Sequence, residues 1–255
     1  MSVSELLRET TKAFDLIRPD NITTPMVVDS PHSWPHFPDE FNPACDRKEL
    51  LTSWDAWVDE LFSIAPSLGA PLLSARFPRF FIDLNRARDD IDPELIDGTL
   101  PFPLRPTHKT EKGFGLLRRN ALPEVLVYDT PIPAKTLLRH IETYYDAYHA
   151  KLCELVNGSR RQFGCAVHLD CHSMKSRGNA MNDDPGVLRP DIVVSDNFGQ
   201  TADPELTKRL AAEFTQVGFH TQINDPYKGA ELIALHSDPG DCRHSIQIEI
   251  NRALY

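Results

Sequence analysis

Short apolar runs that end in polar residues recur along the chain, and they predict buried strands. Residues 165–174 form the central run, in which Ala, Val and Leu alternate with histidine and aspartate. Because a strand has a side-chain period of two, His168, Asp170 and His172 are expected on one face, with a leucine and a cysteine opposite. Burying such polar groups together is costly unless a ligand uses them. This pattern favours a metal site in which His172 is a ligand and Asp170 supports it through a contact with its imidazole.

Similar runs predict further strands at residues 26–28, 71–75, 80–84, 190–196, 219–223 and 245–251, with a strand–turn–strand at 113–118 and 124–128. In the last of the main runs, isoleucines face one side, whereas Gln247, Glu249 and Asn251 face the other. A carboxylate flanked by isoleucines on a core strand is expected to have a raised pKa. Such a pKa suits a general acid or base.

Helical spacing of apolar residues predicts helices at residues 4–18, 47–64, 133–156 and 203–217. Helices that alternate with strands are typical of an α/β fold. The sequence therefore predicts one domain over residues 1–255, with a mixed, mostly parallel sheet flanked by helices. Residues 1–24 would supply an N-terminal helix and a lead-in to the rest of the domain.

Charge and cysteine content narrow the class of partner. The formal net charge of -10 argues against a nucleic-acid partner, which needs a basic face. No apolar run approaches the ~20 residues that span a membrane. The five cysteines lack paired spacing, and the N-terminus lacks the order of a signal peptide. We therefore expect a cytoplasmic protein with free thiols, while its oligomeric state stays open.

Several polar residues follow predicted strands, where α/β enzymes place their chemistry. His32 follows the first run, although a lone loop histidine is the commoner case. Arg79, Asn85 and Arg86 surround another run and suit the binding of a carboxylate. The proline-rich section 86–112 is long enough for a lid.

Other candidates have less support from spacing alone. Asp55 and Asp59 lie four apart on a predicted helix, so they form either a solvated acidic face or a source of a metal ligand. His149 lies on a helix as a core or site residue. Lys228 provides a cation in a turn-rich loop.

The motifs together, from about residue 25 onward, resemble the N-formylglutamate amidohydrolase family, which is similar in fold to zinc carboxypeptidases and aspartoacylases. The matching segments are SPHS at 30–33, SWDAWVDELF at 53–62, FPRFFIDLNR at 77–86, DIDP at 90–93, GFG at 113–115, YYDAYHAKL at 144–152, HLDCHSM at 168–174, RPDIVVSDNFG at 189–199, NDPYKG at 224–229 and IQIEINRALY at 246–255. Their order and spacing are more specific than any one motif.

The resemblance implies a zinc ion, or another divalent metal, bound by His32, an acidic residue and His172, with Glu249 as the catalytic base. The related enzymes have an acid three residues after the first histidine, but Pro35 stands there in this chain. Asp55 is therefore assigned as the acidic ligand, and Asp59 is the alternative. The tryptophan that follows the SPHS motif is expected to narrow the pocket.

The resemblance also implies a reaction, the hydrolysis of N-formyl-L-glutamate to formate and L-glutamate in histidine breakdown. Arg86 or Arg79 would stabilise the oxyanion, and Arg79, Asn85, Lys228 and His149 are candidates for binding a small anionic substrate. Two alternatives stay open. The protein would be an amidohydrolase for another N-acyl amino acid or a small peptide, or an inactive binding protein of the same fold.

Overall fold

An eight-stranded mixed sheet organises the protein, and its four central strands are parallel. The computed structural model describes residues 6–255. The strands are β1 (Leu6–Thr10), β2 (Phe14–Pro19), β3 (Met26–Ser30), β4 (Leu72–Ala75), β5 (Ile96–Asp97), β6 (Asn120–Leu122), β7 (Val125–Leu126), β8 (Ile132–Pro133), β9 (Ala166–Met174), β10 (Ile192–Ser195), β11 (Thr221–Ile223) and β12 (Arg243–Asn251). The order in the main sheet is β1-β2-β4-β3-β9-β12-β10-β11.

The neighbouring strands β4, β3, β9 and β12 are all parallel, so their carboxyl ends reach the same edge of the sheet. β10 pairs antiparallel with β12, and β11 pairs parallel with β10. Two small sheets, β5 with β8 and β6 with β7, lie outside the main one. The main sheet thus has the mixed, mostly parallel character that the sequence predicted.

Helices cover both faces of the main sheet. They are α1 (Arg47–Leu50), α2 (Val58–Leu61), α3 (His108–Glu111), α4 (Ala134–His140), α5 (Ala147–Phe163), α6 (Pro204–Gln216) and α7 (Glu231–His236). A π-helical segment, Ile141–Asp146, joins α4 to α5. Short 3-10 turns lie at Leu51–Ser53, Ala65–Leu68, Pro93–Leu95, Pro239–Asp241 and Arg252–Leu254.

Side-chain alternation on β9 and β12 separates two cores. Leu169 and Cys171 of β9 join Ile246 and Ile248 of β12 in one core, against α2 and α6. The other core contains Tyr148 and many more apolar side chains, and α5 and α7 pack on that side. The polar side chains of β9 therefore face away from the smaller core, as their spacing predicted.

Two predicted helices are wrong. The first was expected at residues 4–18, of which 4 and 5 lie outside the described residues. β1 and β2 form an antiparallel hairpin there instead, since Thr11 Oγ1 accepts the backbone N–H groups of Ala13 and Phe14 and tightens the turn. The second was expected at residues 47–64, where the chain breaks into α1, a 3-10 turn and α2, with Trp57 in the left-handed region at φ 56°.

The predicted strand at residues 80–84 is also wrong, because these residues form turns. The Phe81 N–H donates to Pro78 O, and the Asp83 N–H donates to Leu116 O. The predicted helix at 133–156 is confirmed but ends later. Gly164 ends it with φ 77°, a left-handed conformation that glycine adopts without a steric penalty.

A buried hydrogen-bond network accounts for one polar residue of β9 without any ligand. His168 Nε2 donates to Asp29 Oδ1 at 2.9 Å, and the Tyr148 hydroxyl donates to Asp29 Oδ2 at 2.8 Å. Ser245 Oγ lies 3.1 Å from His168 Nδ1. Burial, followed by the negative charge of Asp170, raises the pKa of Asp29. His168 is thus a core residue with hydrogen-bond partners on both ring nitrogens.

Replacing Tyr148 with Phe should lower the free energy of unfolding by about 1–3 kcal/mol, because Asp29 loses a partner with no water to replace it. Tyr144→Phe is the matched control, since its hydroxyl donates to the exposed Glu40 at 2.7 Å. Urea denaturation measures both variants. Equal losses in the two variants would contradict this account of the buried network.

Candidate metal centre

Three neighbouring parallel strands bring the candidate residues together at one edge of the sheet. His32 lies two residues beyond the end of β3, and His172 lies near the end of β9. Glu249 of β12 is the direct cross-strand neighbour of His172. Asp55 comes from the irregular segment before α2, and its N–H donates to His32 O at 3.2 Å.

His32, Asp55 and His172 converge on one point. The distance from His32 Nδ1 to His172 Nδ1 is 3.2 Å, and Asp55 Oδ2 lies 3.0 Å from His172 Nδ1 and 3.7 Å from His32 Nδ1. All three side chains are buried. Zinc–ligand bonds of about 2.0–2.2 Å in a tetrahedron place ligand atoms about 3.3 Å apart, which these separations match.

The opposite nitrogen of each imidazole lies against a carboxylate. His32 Nε2 is 3.0 Å from Asp83 Oδ1, and His172 Nε2 is 2.8 Å from Asp170 Oδ1. Ionised carboxylates only accept hydrogen bonds, so these close contacts favour a proton on each Nε2, although neither N–H is aligned on its carboxylate. The lone pairs on the two Nδ1 atoms then point at each other and at Asp55, as in histidine–carboxylate pairs that bind metals.

The donor set fits a divalent cation. Two nitrogens and one oxygen form one of the ligand sets that zinc takes in catalytic sites. Among residues 6–255, neither oxygen of the buried Asp170 has an aligned hydrogen-bond donor, so its charge needs a nearby cation. Burial lowers the pKa of His172, but Asp170, Asp55 and Glu249 outweigh burial and raise this pKa well above the usual value, whereas burial and Arg79 lower the pKa of His32. The carboxylates thus favour positive charge at His172, either as a proton or as a bound metal ion.

Asp83 links the centre to two arginines. Its Oδ2 accepts from Arg118 Nη2 at 3.0 Å and from Arg79 Nη2 at 3.2 Å. Burial raises the pKa of Asp83, but its neighbours, first Arg79 and then His32 and two further arginines, lower it well below the usual value. Burial, followed by repulsion from Arg79, lowers the pKa of Arg118 to about 9.

Glu249 is buried beside His172 and accepts a hydrogen bond from a neighbouring side chain. Gln247 Nε2 donates to Glu249 Oε1 at 3.0 Å, and Asn85 Nδ2 donates to Gln247 Oε1 at 3.2 Å. Burial raises the pKa of Glu249 to about 7, which Asp55 supports and His172 opposes. The raised pKa that the isoleucine pattern predicted is confirmed, and it suits proton transfer near neutral pH.

Comparison with known proteins identifies the family of the chain. The family described as N-formylglutamate amidohydrolase matches residues 24–255. The chain belongs to that family. An N-formylglutamate amidohydrolase structure from Ralstonia eutropha JMP134 has 38% sequence identity and a TM-score of 0.91, over 96% of this chain and 88% of that one.

Two curated members of the family, each named N-formylglutamate deformylase, are similar along most of their length. The Pseudomonas aeruginosa protein is 28% identical over 88% of this chain and 80% of its own. The Pseudomonas putida protein is 28% identical over 91% of this chain and 81% of its own. A gene product from Agrobacterium tumefaciens, 17% identical with a TM-score of 0.66 over 95% of this chain and 84% of its own, shares the fold.

The helices of the structure were compared with the length and hydropathy of membrane spans. None of the helices within residues 6–255 is both long enough and apolar enough to cross a bilayer.

Of the residues that the resemblance assigned to the substrate, two lie at the centre. Arg79 Nη1 is 3.8 Å from Asp55 Oδ1. Asn85 Nδ2 is 3.3 Å from His172 Nε2, but its Oδ1 accepts the Leu232 N–H at 2.9 Å. Contacts within the protein thus already involve both the Nδ2 and the Oδ1 atoms of the Asn85 side chain. Arg79 keeps part of its side chain exposed.

The structure places the other two predicted substrate residues, and the predicted catalytic Arg86, in different surroundings. Arg86 donates to Phe114 O at 2.6 Å and to Asn85 O at 2.5 Å. His149 lies in the core, 2.9 Å from His236 Nε2 and 3.0 Å from Leu84 O, which gives it partners on both nitrogens. Lys228 is exposed, with its Nζ 6.0 Å from the Phe198 ring centroid.

Sequence reasoning missed the roles of Asp83, Arg118 and Gln247. Asp83 stands in the DLNR segment, so its place after a predicted strand was the available signal. Gln247 shares the face of Glu249 through the period of two, which was a second signal. Arg118 had none, because it reaches the site from a turn beside β6.

Replacing Asp55 with Asn should weaken zinc binding at least about tenfold, because the centre loses its charged ligand. Asp59→Asn is the matched control. Asp59 is half-buried on α2 and is not one of the three converging residues. Competition with a chromophoric chelator measures the dissociation constant of zinc in each variant. Tight zinc binding by the Asp55 variant together with weak binding by the Asp59 variant would show that Asp59, and not Asp55, is the acidic ligand.

Proposed function

We propose that the protein is a zinc-dependent amidohydrolase that converts N-formyl-L-glutamate and water to formate and L-glutamate. The observation that carries the proposal is the convergence of His32, Asp55 and His172 beside the buried Glu249. The substrate follows from the names of the curated relatives and of the Ralstonia structure. Another divalent ion would serve the same donor set.

His32 Nδ1, His172 Nδ1 and Asp55 Oδ2 would bind the ion. A bound divalent ion polarises a carbonyl group and lowers the pKa of water toward ~7. The chain's own contribution is to hold these donors rigidly, since Asp83 and Asp170 lie against the outer nitrogens of the two imidazoles. Three protein ligands would leave a coordination position for water or substrate.

Glu249 moves the proton in this mechanism. Its carboxylate accepts a proton from the attacking water and delivers it to the departing amine nitrogen. A pKa of about 7 allows both transfers near neutral pH. The hydrogen bond from Gln247 leaves the other carboxylate oxygen for the proton.

The arginines of the site favour an anionic substrate in spite of the chain's negative net charge. Arg79 is the cation suited to stabilising the negative charge that develops on the formyl oxygen, whereas the guanidinium of Arg86 already donates to Phe114 O and Asn85 O. Burial, followed by repulsion from Arg252, Arg118 and Arg189, lowers the pKa of Lys175, so several cationic side chains lie near the exit of β9. These cations would attract the two carboxylates of N-formyl-L-glutamate.

A place in histidine breakdown and in the cytoplasm belongs to the same proposal. The family resemblance supports the first. All five cysteines are free, which fits a reducing compartment and supports the second.

The same centre would also act on other N-acyl amino acids, which is the second candidate function. A panel of N-formyl and N-acetyl derivatives of glutamate, glutamine and aspartate separates the two functions. Preference for the formyl group and for a charged side chain supports the deformylase. Equal rates across the panel favour a broader amidohydrolase, and no hydrolysis at all favours an inactive binding protein.

Replacing Glu249 with Gln should lower kcat for N-formyl-L-glutamate by about 10²–10⁴-fold, because the amide cannot take up the proton. Zinc content should remain that of the wild type, since Glu249 is not one of the three donors. Glu213→Gln, on the exposed side of α6, serves as the control. Formate release and metal analysis test this, and wild-type turnover by the Glu249 variant would refute the assignment.

A further inference from the structure

The guanidinium of Arg252 joins two segments of the candidate centre. Its Nη2 donates to Asp55 Oδ1 at 2.8 Å, and its Nε donates to Ser173 Oγ at 2.9 Å. Its Nη1 donates to Thr52 O at 3.1 Å. Ser173 follows His172 directly, and Arg252 itself directly follows β12.

Asp55 is the ligand that most needs such a partner. The two histidines lie on β9 or just beyond β3, whereas Asp55 lies between a 3-10 turn and the four-residue helix α2. Its backbone N–H donates a hydrogen bond to His32 O in the loop that follows β3. A carboxylate on such a segment can rotate about its side-chain bonds unless something binds its outer oxygen.

The two oxygens of Asp55 have different partners. Oδ2 faces the imidazoles of His172 and His32, at 3.0 and 3.7 Å. Oδ1 faces Arg252, and the next cation, Arg79, is 3.8 Å away. This division leaves one oxygen for an ion and uses the other in a charge-assisted hydrogen bond.

We propose that Arg252 is a positioning residue that restricts Asp55 to a single donor oxygen and so keeps a coordination position open for water and substrate. The inference rests on the proposed function, because it concerns a ligand of the same centre. Partners of metal ligands set metal affinity as well as geometry. Arg252 would act through Asp55 without touching the substrate.

The competing role for Arg252 is a purely structural tether of the C-terminal segment. Tyr255 packs against Trp57, with ring centroids 6.5 Å apart, so this segment has another attachment near Asp55. A tether would affect the stability of the protein but not the number of donors that Asp55 offers. The two roles therefore differ in metal affinity and in coordination spectra.

Arg252→Gln tests the proposal, because the shorter amide cannot span Asp55, Ser173 and Thr52. Arg243→Gln is the matched control at the opposite end of β12. The Arg243 side chain is 25% exposed against 22% for Arg252, and it pairs with Asp238 at 3.0 Å. Zinc dissociation constants from chelator competition, and unfolding of the metal-free proteins, are measured for both variants and the wild type.

The zinc dissociation constant of the Arg252→Gln protein should rise about 10–100-fold, while that of the Arg243→Gln protein stays at the wild-type value. Arg252→Lys keeps the charge without the planar fork, so an intermediate rise is expected. With cobalt in place of zinc, the visible absorption of Arg252→Gln should weaken, as four-coordinate geometry gives way to a higher coordination number.

An unchanged zinc dissociation constant and an unchanged cobalt spectrum in Arg252→Gln would overturn the proposal. Arg252 would then be only a structural tether of the C-terminal segment. A fall in unfolding free energy alone would have the same meaning. If Arg252→Gln does not fold, the comparison of Arg252→Lys with Arg243→Gln decides in the same way. A wild-type protein that takes up no metal would overturn the proposed centre, and this inference with it.

Discussion

The structure depends on the meeting of two imidazole lone pairs and one carboxylate oxygen at a buried point. His32, His172 and Asp55 approach within 3.0–3.7 Å of one another, and all three side chains are buried. Three electron-rich atoms at these distances repel one another unless a cation lies between them. A proton or a metal ion meets this requirement, and the catalytic role that we propose requires the metal.

The surrounding residues are arranged to maintain this meeting point. Asp83 and Asp170 lie behind the two imidazoles, and Arg79 and Arg118 balance the charge of Asp83. The parallel arrangement of β3, β9 and β12 fixes the spacing, because adjacent strands place their carboxyl ends side by side. The sheet thus supplies the rigidity that a preorganised site needs.

The strands and their faces were largely predictable from the sequence. The period of two on β9 and β12 identified the faces of His172 and Glu249, and Ile246 and Ile248 marked the opposite core. The apolar runs that became β3, β4, β10 and β11 were recognisable for the same reason. Local patterns determine these features, so a single sequence contains the information.

The segments that failed are those in which tertiary contacts override local preference. Residues 47–64 have helical spacing, yet the chain breaks there and brings Asp55 to His32 and Trp54 Nε1 to Ser33 O. The predicted helix at residues 4–18 gives way to a hairpin because β2 extends the sheet by pairing with β4. The contacts of Arg118 and Arg252 join residues far apart in sequence, and spacing could not reveal them.

Anomalous diffraction from crystals of the protein grown with zinc would show whether the three converging residues bind a metal ion. We expect one strong anomalous peak, about 2.0–2.2 Å from His32 Nδ1, His172 Nδ1 and Asp55 Oδ2. A fully occupied peak elsewhere, with the two imidazoles still in contact at the candidate centre, would contradict this expectation.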